Sequence, residues 1–286
     1  MPIDETLNQL MDSEPSLKES LSALPEAKRD AIFTLFAYYK TAKKAAREER
    51  DLEALQTMKK NTQDTFEGAV PNDPLYEALY ESVMRFPSDI SPFMELLDGL
   101  KDDYYQKPIE TDEDFNAYAL KTIGNLNRMM LPVLAQKTFK ESPKPLRKVS
   151  DALAHALTIT IVLRDLRDDL KDRFVFLPEK AIEQANVKIP HLRTGIVTPE
   201  YRSLVEQYID KAVEEYETFF DALDTLDEDA IAPVYTALRY YKGLLLQIRK
   251  NDYNNITKKH TLGPVKKWML RKKIKGELKK RGLPTA

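Results

Sequence analysis

The sequence contains no cysteine, and only eight of its 286 residues are glycine. The absence of cysteine excludes disulfides, thiolate metal sites and cysteine nucleophiles. The scarcity of glycine argues against a Rossmann or P-loop nucleotide site, because both need several glycines where the backbone approaches phosphate. The three histidines, His155, His191 and His260, lack the spacing of a zinc site. The composition therefore argues against the common nucleotide-binding and zinc-binding classes.

Long apolar runs are also missing. No stretch approaches eighteen consecutive apolar residues, so the sequence predicts no membrane span. The first ten residues are polar and acidic and do not resemble a signal peptide. We therefore expect a cytoplasmic protein, with peripheral membrane attachment as the one alternative that the C-terminal residues suggest.

Charge is distributed unevenly along the chain. The formal net charge is −2, but residues 258–281 hold eleven Lys and Arg against one acid, Glu277. That segment carries +10, so the rest of the chain carries −12. A functional account has to explain an acidic body with a basic tail.

Helical periodicity dominates the sequence, and no alternating strand pattern is present. The pattern predicts one all-α domain over residues 1–286, without repeats or a linker. A kink is expected at Pro132, because proline lacks the amide donor of a helix. The predicted helices cover 25–65, 75–85, 92–105, 112–140, 145–171, 199–223 and 228–253, with a connection at 185–199 and a basic amphipathic helix over 264–281.

An aspartate pair is the strongest chemical signal. Asp165 and Asp169 are four residues apart, so their carboxylates share one face of the predicted 145–171 helix. They follow an apolar stretch, which places that face at the mouth of an apolar cavity. Paired carboxylates there suit a magnesium-bridged diphosphate with a hydrocarbon chain in the cavity. The alternative is a solvated helix end, in which these acids pair with neighbouring Lys and Arg.

The segment around this pair resembles the second aspartate-rich motif of the squalene/phytoene synthase family. Residues 161–169 read I-V-L-R-D-L-R-D-D, and a Phe-Leu-Pro tag follows at 176–178. Segments 24–33, 97–103, 118–124 and 241–259 resemble further family motifs in the same order, so the resemblance covers about 20–260. A chain-elongating prenyl synthase would carry a full D-D-x-x-D in both halves, and the Phe-Leu-Pro tag favours the head-to-head family.

The resemblance implies an isoprenoid-synthase helical bundle around a central apolar cavity, acting on a prenyl diphosphate with Mg²⁺. It implies that Asp165, Asp169 and Tyr241 are catalytic. The same aspartates, joined by Asp103, would hold the metal, and Asp98 is a further candidate. The residues expected to contact diphosphate are Arg164, Lys40, Lys43, Arg47, Tyr253 and Lys258.

The sequence departs from the family at its first aspartate motif. The family carries D-D-x-x-D there, whereas this chain has Lys43-Lys44-Ala45-Ala46-Arg47. Thr158, Ile161 and Asn127 replace the family's Gln, Asn and Gly. If the fold is kept, Lys43 and Arg47 face Asp165 and Asp169, where they would bind diphosphate directly or pair with the aspartates. The alternative for this run is a solvated helix face.

Two functions follow from this departure. The first is a divergent prenyl-diphosphate transferase or synthase that needs fewer magnesium ions than the family norm. A variant of it would transfer one prenyl group to a non-prenyl acceptor, which needs only a single ionisation. The second is a pseudoenzyme that keeps the fold and binds lipid or assembles with partners. A purely structural helical module would explain the composition but not the ordered motifs.

The basic C-terminal helix predicts a second surface. Leu270, Ile274 and Leu278 share one face among many cations, a composition typical of a helix on an anionic membrane. The alternative is a terminal helix that docks on the body through Trp268. Nucleic acid is not expected as a partner, because the remaining chain is acidic and shows no binding motif.

Overall fold

The computed structural model describes residues 9–141, 143–171 and 174–285, and these form helices and connections without a strand. The all-α prediction is confirmed. The helices are α1 (Pro15–Leu21), α2 (Glu26–Lys44), α3 (Leu52–Phe66), α4 (Pro74–Arg85), α5 (Ser91–Tyr104), α6 (Asp112–Ala119), α7 (Asn125–Leu134), α8 (Gln136–Glu141), α9 (Pro143–Asp169), α10 (Glu179–Gln184), α11 (Ile189–Arg193), α12 (Pro199–Phe220), α13 (Glu228–Lys250) and α14 (Pro264–Lys280).

Short polar side chains fix several helix starts. Asp51 accepts a hydrogen bond from the Ala54 amide at 2.9 Å, which satisfies a first-turn donor of α3. Thr111 and Asp114 form a reciprocal capping box at the start of α6. These caps define the first residues of α3 and α6, which the apolar periodicity alone does not define.

The helical region predicted over 25–65 consists of two helices. Helix α2 ends at Lys44, and a π-helical turn follows over Ala45–Glu49. Arg50 then takes a left-handed backbone conformation with φ 52°. Such a residue ends a helix, because non-glycine side chains adopt this region rarely. Asp51 starts α3 immediately afterwards.

The single kinked helix predicted over 112–140 is three helices. A π-helical turn at Leu120–Gly124 joins α6 to α7, and Pro132 lies inside α7. The break comes at Ala135, whose φ of −140° is not helical. The connection predicted at 185–199 contains the short helix α11, and the other predicted helices agree to within a few residues.

Helix α9 runs through the centre of the molecule. Its middle carries buried Ala152, Ala154 and Ala156, and it packs most extensively against α12. A buried hydrogen bond of 2.9 Å between the hydroxyls of Thr160 and Tyr216 links the two helices. The buried apolar residues form one continuous cluster around α9. Because α9 is central, its C-terminal end, which carries Asp165 and Asp169, is surrounded by other helices.

The C-terminal helix α14 docks on α13 by the face that the sequence assigned to a membrane. Ile274 and Leu278 are buried, and Leu270 is half-buried against the core. Trp268, the proposed docking residue, is exposed instead. Both predictions about the orientation of this helix are therefore wrong. Among the described residues, no helix is long and apolar enough to cross a bilayer.

Candidate active site

An apolar cavity of about 110 Å³ lies beside α9. Helices α1, α2, α7, α9, α12 and α13 all contribute to its walls. The side chains that line it are mainly aliphatic and aromatic, and they include Leu17, Phe36, Met130, Leu157, Phe219 and Leu238. A cavity of this composition suits a hydrocarbon chain, because it offers few groups that could hydrate or hydrogen-bond a polar ligand.

Charged and polar residues also line this cavity. Lys40 and Lys43 come from α2, Arg164 from α9 and Tyr241 from α13, while Glu14 precedes α1. The sequence predicted the first four as site residues, and the structure places them together. Three cations at the edge of an apolar cavity make it complementary to a lipid diphosphate, which has an apolar chain and an anionic head.

Glu14 connects these groups. Its Oε2 accepts from Arg164 Nη1 at 2.9 Å and from the Tyr241 hydroxyl at 2.9 Å. Its Oε1 lies 3.5 Å from Lys40 Nζ. Sequence analysis missed Glu14, since it lies outside every recognised motif and 150 positions before its arginine partner. The only available signal was a carboxylate just before a proline at a helix start.

Asp165 is held by its neighbour. Arg164 Nε donates to Asp165 Oδ1 at 2.7 Å, and Nη2 donates to Oδ2 at 2.8 Å. Burial raises the pKa of Asp165, but the hydrogen bonds and charge of Arg164, followed by Lys43 and Lys40, bring that pKa below its ordinary value. The carboxylate is therefore ionised and already faces cations.

A second, smaller cavity of about 20 Å³ brings the two motif regions together. Lys43 and Arg47 line it from one side, and Asp165 and Asp169 line it from α9. The predicted juxtaposition of the basic run with the aspartate pair is thus what the structure has. Thr158, which stands at the family's Gln position, also lines this cavity, and its buried hydroxyl has no hydrogen-bond partner in the described part of the chain.

Arg47 closes one side of this small cavity. Its Nε donates to Asp103 Oδ2 at 2.7 Å, and its Nη2 donates to the Tyr118 hydroxyl at 2.6 Å. The guanidinium carbon lies 4.1 Å from the ring centre of Phe176, the first residue of the Phe-Leu-Pro tag. The Asp103 side chain is only 2% exposed and does not line the small cavity, so its predicted role as a metal ligand stays a prediction.

Lys43 differs from Arg47, since it forms no ion pair within the described residues. Burial, followed by the neighbouring positive charge of Arg47, lowers the pKa of Lys43 to about 8. Asp165 acts in the opposite direction. Lys43 lines both cavities, so its amine lies where an anionic ligand in either cavity would meet it.

The remaining predicted residues lie elsewhere. Tyr253 is half-buried near Glu206, and burial followed by a hydrogen bond to Glu206 raises its pKa. Lys258 is exposed, and neither residue lines the two cavities. Asp98 is half exposed and pairs with surface lysines Lys59 and Lys101. These three positions are not part of the assembled site.

The donor set for a metal is small. No group of three or more His, Cys, Asp or Glu side chains among residues 9–141, 143–171 and 174–285 could hold an ion by itself. Asp165 and Asp169 nevertheless line the same small cavity. One or two carboxylates completed by phosphate oxygens are a common magnesium environment. The residues therefore fit one ion shared with a diphosphate ligand, and they do not fit a cluster of ions.

Comparisons with known proteins place this site in context. Phytoene synthase 1 of Zea mays is 29% identical over 215 residues, covering 75% of this chain and 52% of that protein. The 15-cis-phytoene synthase of Synechococcus elongatus is 26% identical over 247 residues, covering 82% and 80%. The chain spans about half the length of the plant relatives that it matches.

Solved structures share the fold. A dehydrosqualene synthase in complex with ligand superposes with a TM-score of 0.88 at 25% identity, over 96% of both chains. The squalene synthase of Alicyclobacillus acidocaldarius gives a TM-score of 0.76 at 18% identity, over 87% of this chain and 94% of that one. A sequence model described as squalene/phytoene synthase matches residues 15–269. With that match extending over the helices that wall the cavity, the chain belongs to the squalene/phytoene synthase family.

Proposed function

We propose that this protein binds a prenyl diphosphate in the apolar cavity and transfers one prenyl group to an acceptor. The observation that carries the proposal is the amphipathic cavity, in which aliphatic walls meet Lys40, Lys43 and Arg164. The hydrocarbon chain would occupy the apolar part, and the diphosphate would lie against the cations. Relatives named for making phytoene, dehydrosqualene and squalene support a long isoprenoid chain as the ligand.

Each polar residue has a distinct task in this proposal. Lys43, which lines both cavities, would donate hydrogen bonds to the diphosphate. Arg164 would contribute a fixed guanidinium, because Glu14 and Asp165 hold it in place. As the allylic C–O bond breaks, the diphosphate leaves with the electron pair, and these cations stabilise the charge that develops on it. The apolar walls would keep water from the carbocation.

Asp165 and Asp169 are the residues that would hold a magnesium ion, together with oxygen atoms of the diphosphate. When bound, such an ion supplies further charge neutralisation for the leaving group. The basic run at Lys43 and Arg47 takes the place of carboxylates that would recruit additional ions. A single ionisation is therefore the chemistry that we assign, rather than two successive ionisations.

A lipid-binding protein without transfer activity is the second candidate. It is favoured by the internal pairing of two site carboxylates, since Arg164 occupies both oxygens of Asp165 and Arg47 occupies Asp103. Such pairs compensate the charge without a metal. This candidate shares the cavity and its ligand with the first and differs only in whether diphosphate is released.

Product analysis separates the two candidates. The protein is incubated with farnesyl or geranylgeranyl diphosphate, with and without Mg²⁺, and both diphosphate and apolar products are quantified. Transfer predicts metal-dependent release that the double variant Asp165→Ala, Asp169→Ala abolishes. The matched control is Asp168→Ala, an exposed residue of the same helix end that pairs with Lys171. Tight binding without release would support the lipid-binding candidate, and neither binding nor release would contradict both.

A further inference from the structure

The helix α14 has two chemically different sides. Its inner side is fixed to the body by buried Ile274 and Leu278 and by Glu277, which accepts from Tyr235 at 2.8 Å and pairs with Arg239 at 2.9 Å. At 3.6 residues per turn, Val265, Trp268 and Met269 lie on the opposite side. They are 70%, 56% and 60% exposed.

These three residues form a compact apolar patch, which we call the Trp268 patch. They account for three of the seven exposed large apolar side chains in the described part of the chain, although they lie within five positions of one another. Isolated exposed apolar residues need no explanation, but a cluster of this kind on a fixed helix marks a contact surface.

Cations surround the Trp268 patch. Lys272 lies 4.0 Å from the centre of the Trp268 ring and continues the same face. Lys266, Lys273 and Lys275 flank it and are exposed. The one acid of the helix, Glu277, is on the docked side and is already paired. The outward side is thus apolar at its N-terminal half and positively charged around it, with no acid.

From this distribution we propose that the Trp268 patch docks the protein on an anionic lipid bilayer. Tryptophan prefers the interfacial region of a bilayer, and lysines near an anionic surface are attracted to its lipid headgroups. Because Ile274 and Leu278 are committed to the body, the helix inserts only Val265, Trp268 and Met269. The surface differs from the Leu270 face that the sequence suggested. A nucleic acid would use the lysines without needing the exposed valine and methionine.

The docked helix is connected to the cavity walls. Arg271 and Lys267 both pair with Glu19 of α1, and Arg271 Nε donates to the Tyr240 hydroxyl of α13 at 2.7 Å. Helices α1 and α13 also supply Leu17 and Tyr241 to the wall of the apolar cavity beside α9. Membrane docking would therefore bring the walls of the lipid-binding cavity next to the bilayer.

The test uses the single tryptophan of the chain as its probe. The full-length protein is mixed with vesicles of phosphatidylcholine, with or without phosphatidylglycerol, in the absence of a prenyl ligand. We expect a blue shift of Trp268 emission and cosedimentation with the anionic vesicles, both weakened by salt. No prenyl diphosphate is present, so failure of this test is independent of the proposed function.

Point variants make the assignment specific. The double variant Met269→Ser, Val265→Ser should lower vesicle affinity at least about tenfold while retaining the wild-type thermal unfolding, because neither residue is buried. The control is Met84→Ser, an equally exposed methionine on α4. Vesicle affinity equal to that of the wild type in the double variant would overturn the proposal. Binding to RNA or self-association through the patch, without vesicle binding, would overturn it as well.

Discussion

Lys43 and Arg47 are one helical turn apart in sequence, yet they meet different surroundings. Arg47 lies on the π-helical turn, where it is held by Asp103, Tyr118 and the Phe176 ring. Lys43 is the last but one residue of α2 and reaches both cavities. The two cations therefore differ in their roles, because Arg47 is held within the protein whereas Lys43 is the one that we propose contacts a ligand.

The lowered pKa of Lys43 predicts a pH-dependent affinity. Burial and the charges of the surrounding groups together bring the pKa of Lys43 to about 8. Those groups are Arg47, Asp165, Lys40 and Arg164. An anionic ligand favours the protonated amine, so affinity for farnesyl diphosphate should fall as pH rises through about 8. Titration calorimetry across this range measures the effect, and Lys43→Met should remove it. A pH dependence unchanged in that variant would contradict the assignment.

The stability of the ligand-free protein should depend on pH in the opposite direction to its ligand affinity. The unfolded chain keeps the lysine proton up to an ordinary pKa of 10.5, whereas folded Lys43 loses it near 8. Between these values the unfolded state binds more protons, so the contribution of Lys43 to the free energy of unfolding rises with pH. The difference between wild type and Lys43→Met in urea unfolding isolates this contribution, and it should change across that window.

Glu14 supports a prediction about positioning. Glu14→Gln removes the charge that holds Arg164 and weakens the bond from Tyr241, which should cost about 1–3 kcal/mol of unfolding free energy. Ligand affinity should fall as well, because Arg164 loses one of its two anchors. The control is Asp12→Asn, an exposed acid nearby that pairs with Lys18. Equal unfolding midpoints for both variants would show that Glu14 is not a central anchor.

The residue-level site was only partly readable from the sequence. Spacing placed Asp165 and Asp169 on one face, and the order of motifs placed Lys43 and Arg47 opposite them. Glu14 was missed, because its partners are distant in sequence and only the fold brings them together. The pairing of Asp103 with Arg47 was not foreseen, because it depends on the π-helical turn, which periodicity does not reveal.

At the scale of elements, the sequence predicted apolar faces better than helix ends. Periodicity continues through residues 45–51, where a π-helical turn and a left-handed Arg50 break the helix. The break is favoured because Asp51 caps the next helix and because Ala45 and Ala46 are buried. The docked side of α14 was equally hidden, since Leu270, Ile274 and Leu278 suit a body contact as well as a membrane.

Gly99 gives a prediction about how helices approach. A Cβ atom at this position would lie 2.9 Å from the Lys121 Cβ and 3.1 Å from its carbonyl oxygen. Gly99→Ala should therefore push α5 away from the π-helical turn and cost about 1–3 kcal/mol. The control is Gly276→Ala in α14, where no atom lies within 4 Å and a gain of about 0.5–1 kcal/mol is expected. Thermal unfolding distinguishes the pair, and equal midpoints would refute the close approach.

At the scale of the whole molecule, the structure shows where the positive charge of residues 258–281 lies. Most cations of the basic segment lie on α14, whose outer side faces away from the acidic body, and Glu19 joins the two through Lys267 and Arg271. The same body encloses an apolar cavity bordered by Lys40, Lys43 and Arg164. A protein that takes a lipid diphosphate from an anionic bilayer accounts for both features.

The central claim is that Lys43 and its neighbours hold the diphosphate of a prenyl ligand. The most direct measurement is calorimetric titration of farnesyl diphosphate into wild type, Lys43→Met and the control Lys44→Met, whose exposed side chain pairs with Glu49. Loss of a charge-assisted hydrogen bond of about 1.5–3 kcal/mol should weaken binding to Lys43→Met about tenfold to a hundredfold. Lys44→Met should bind as the wild type does. Equal affinity for all three proteins would contradict the account.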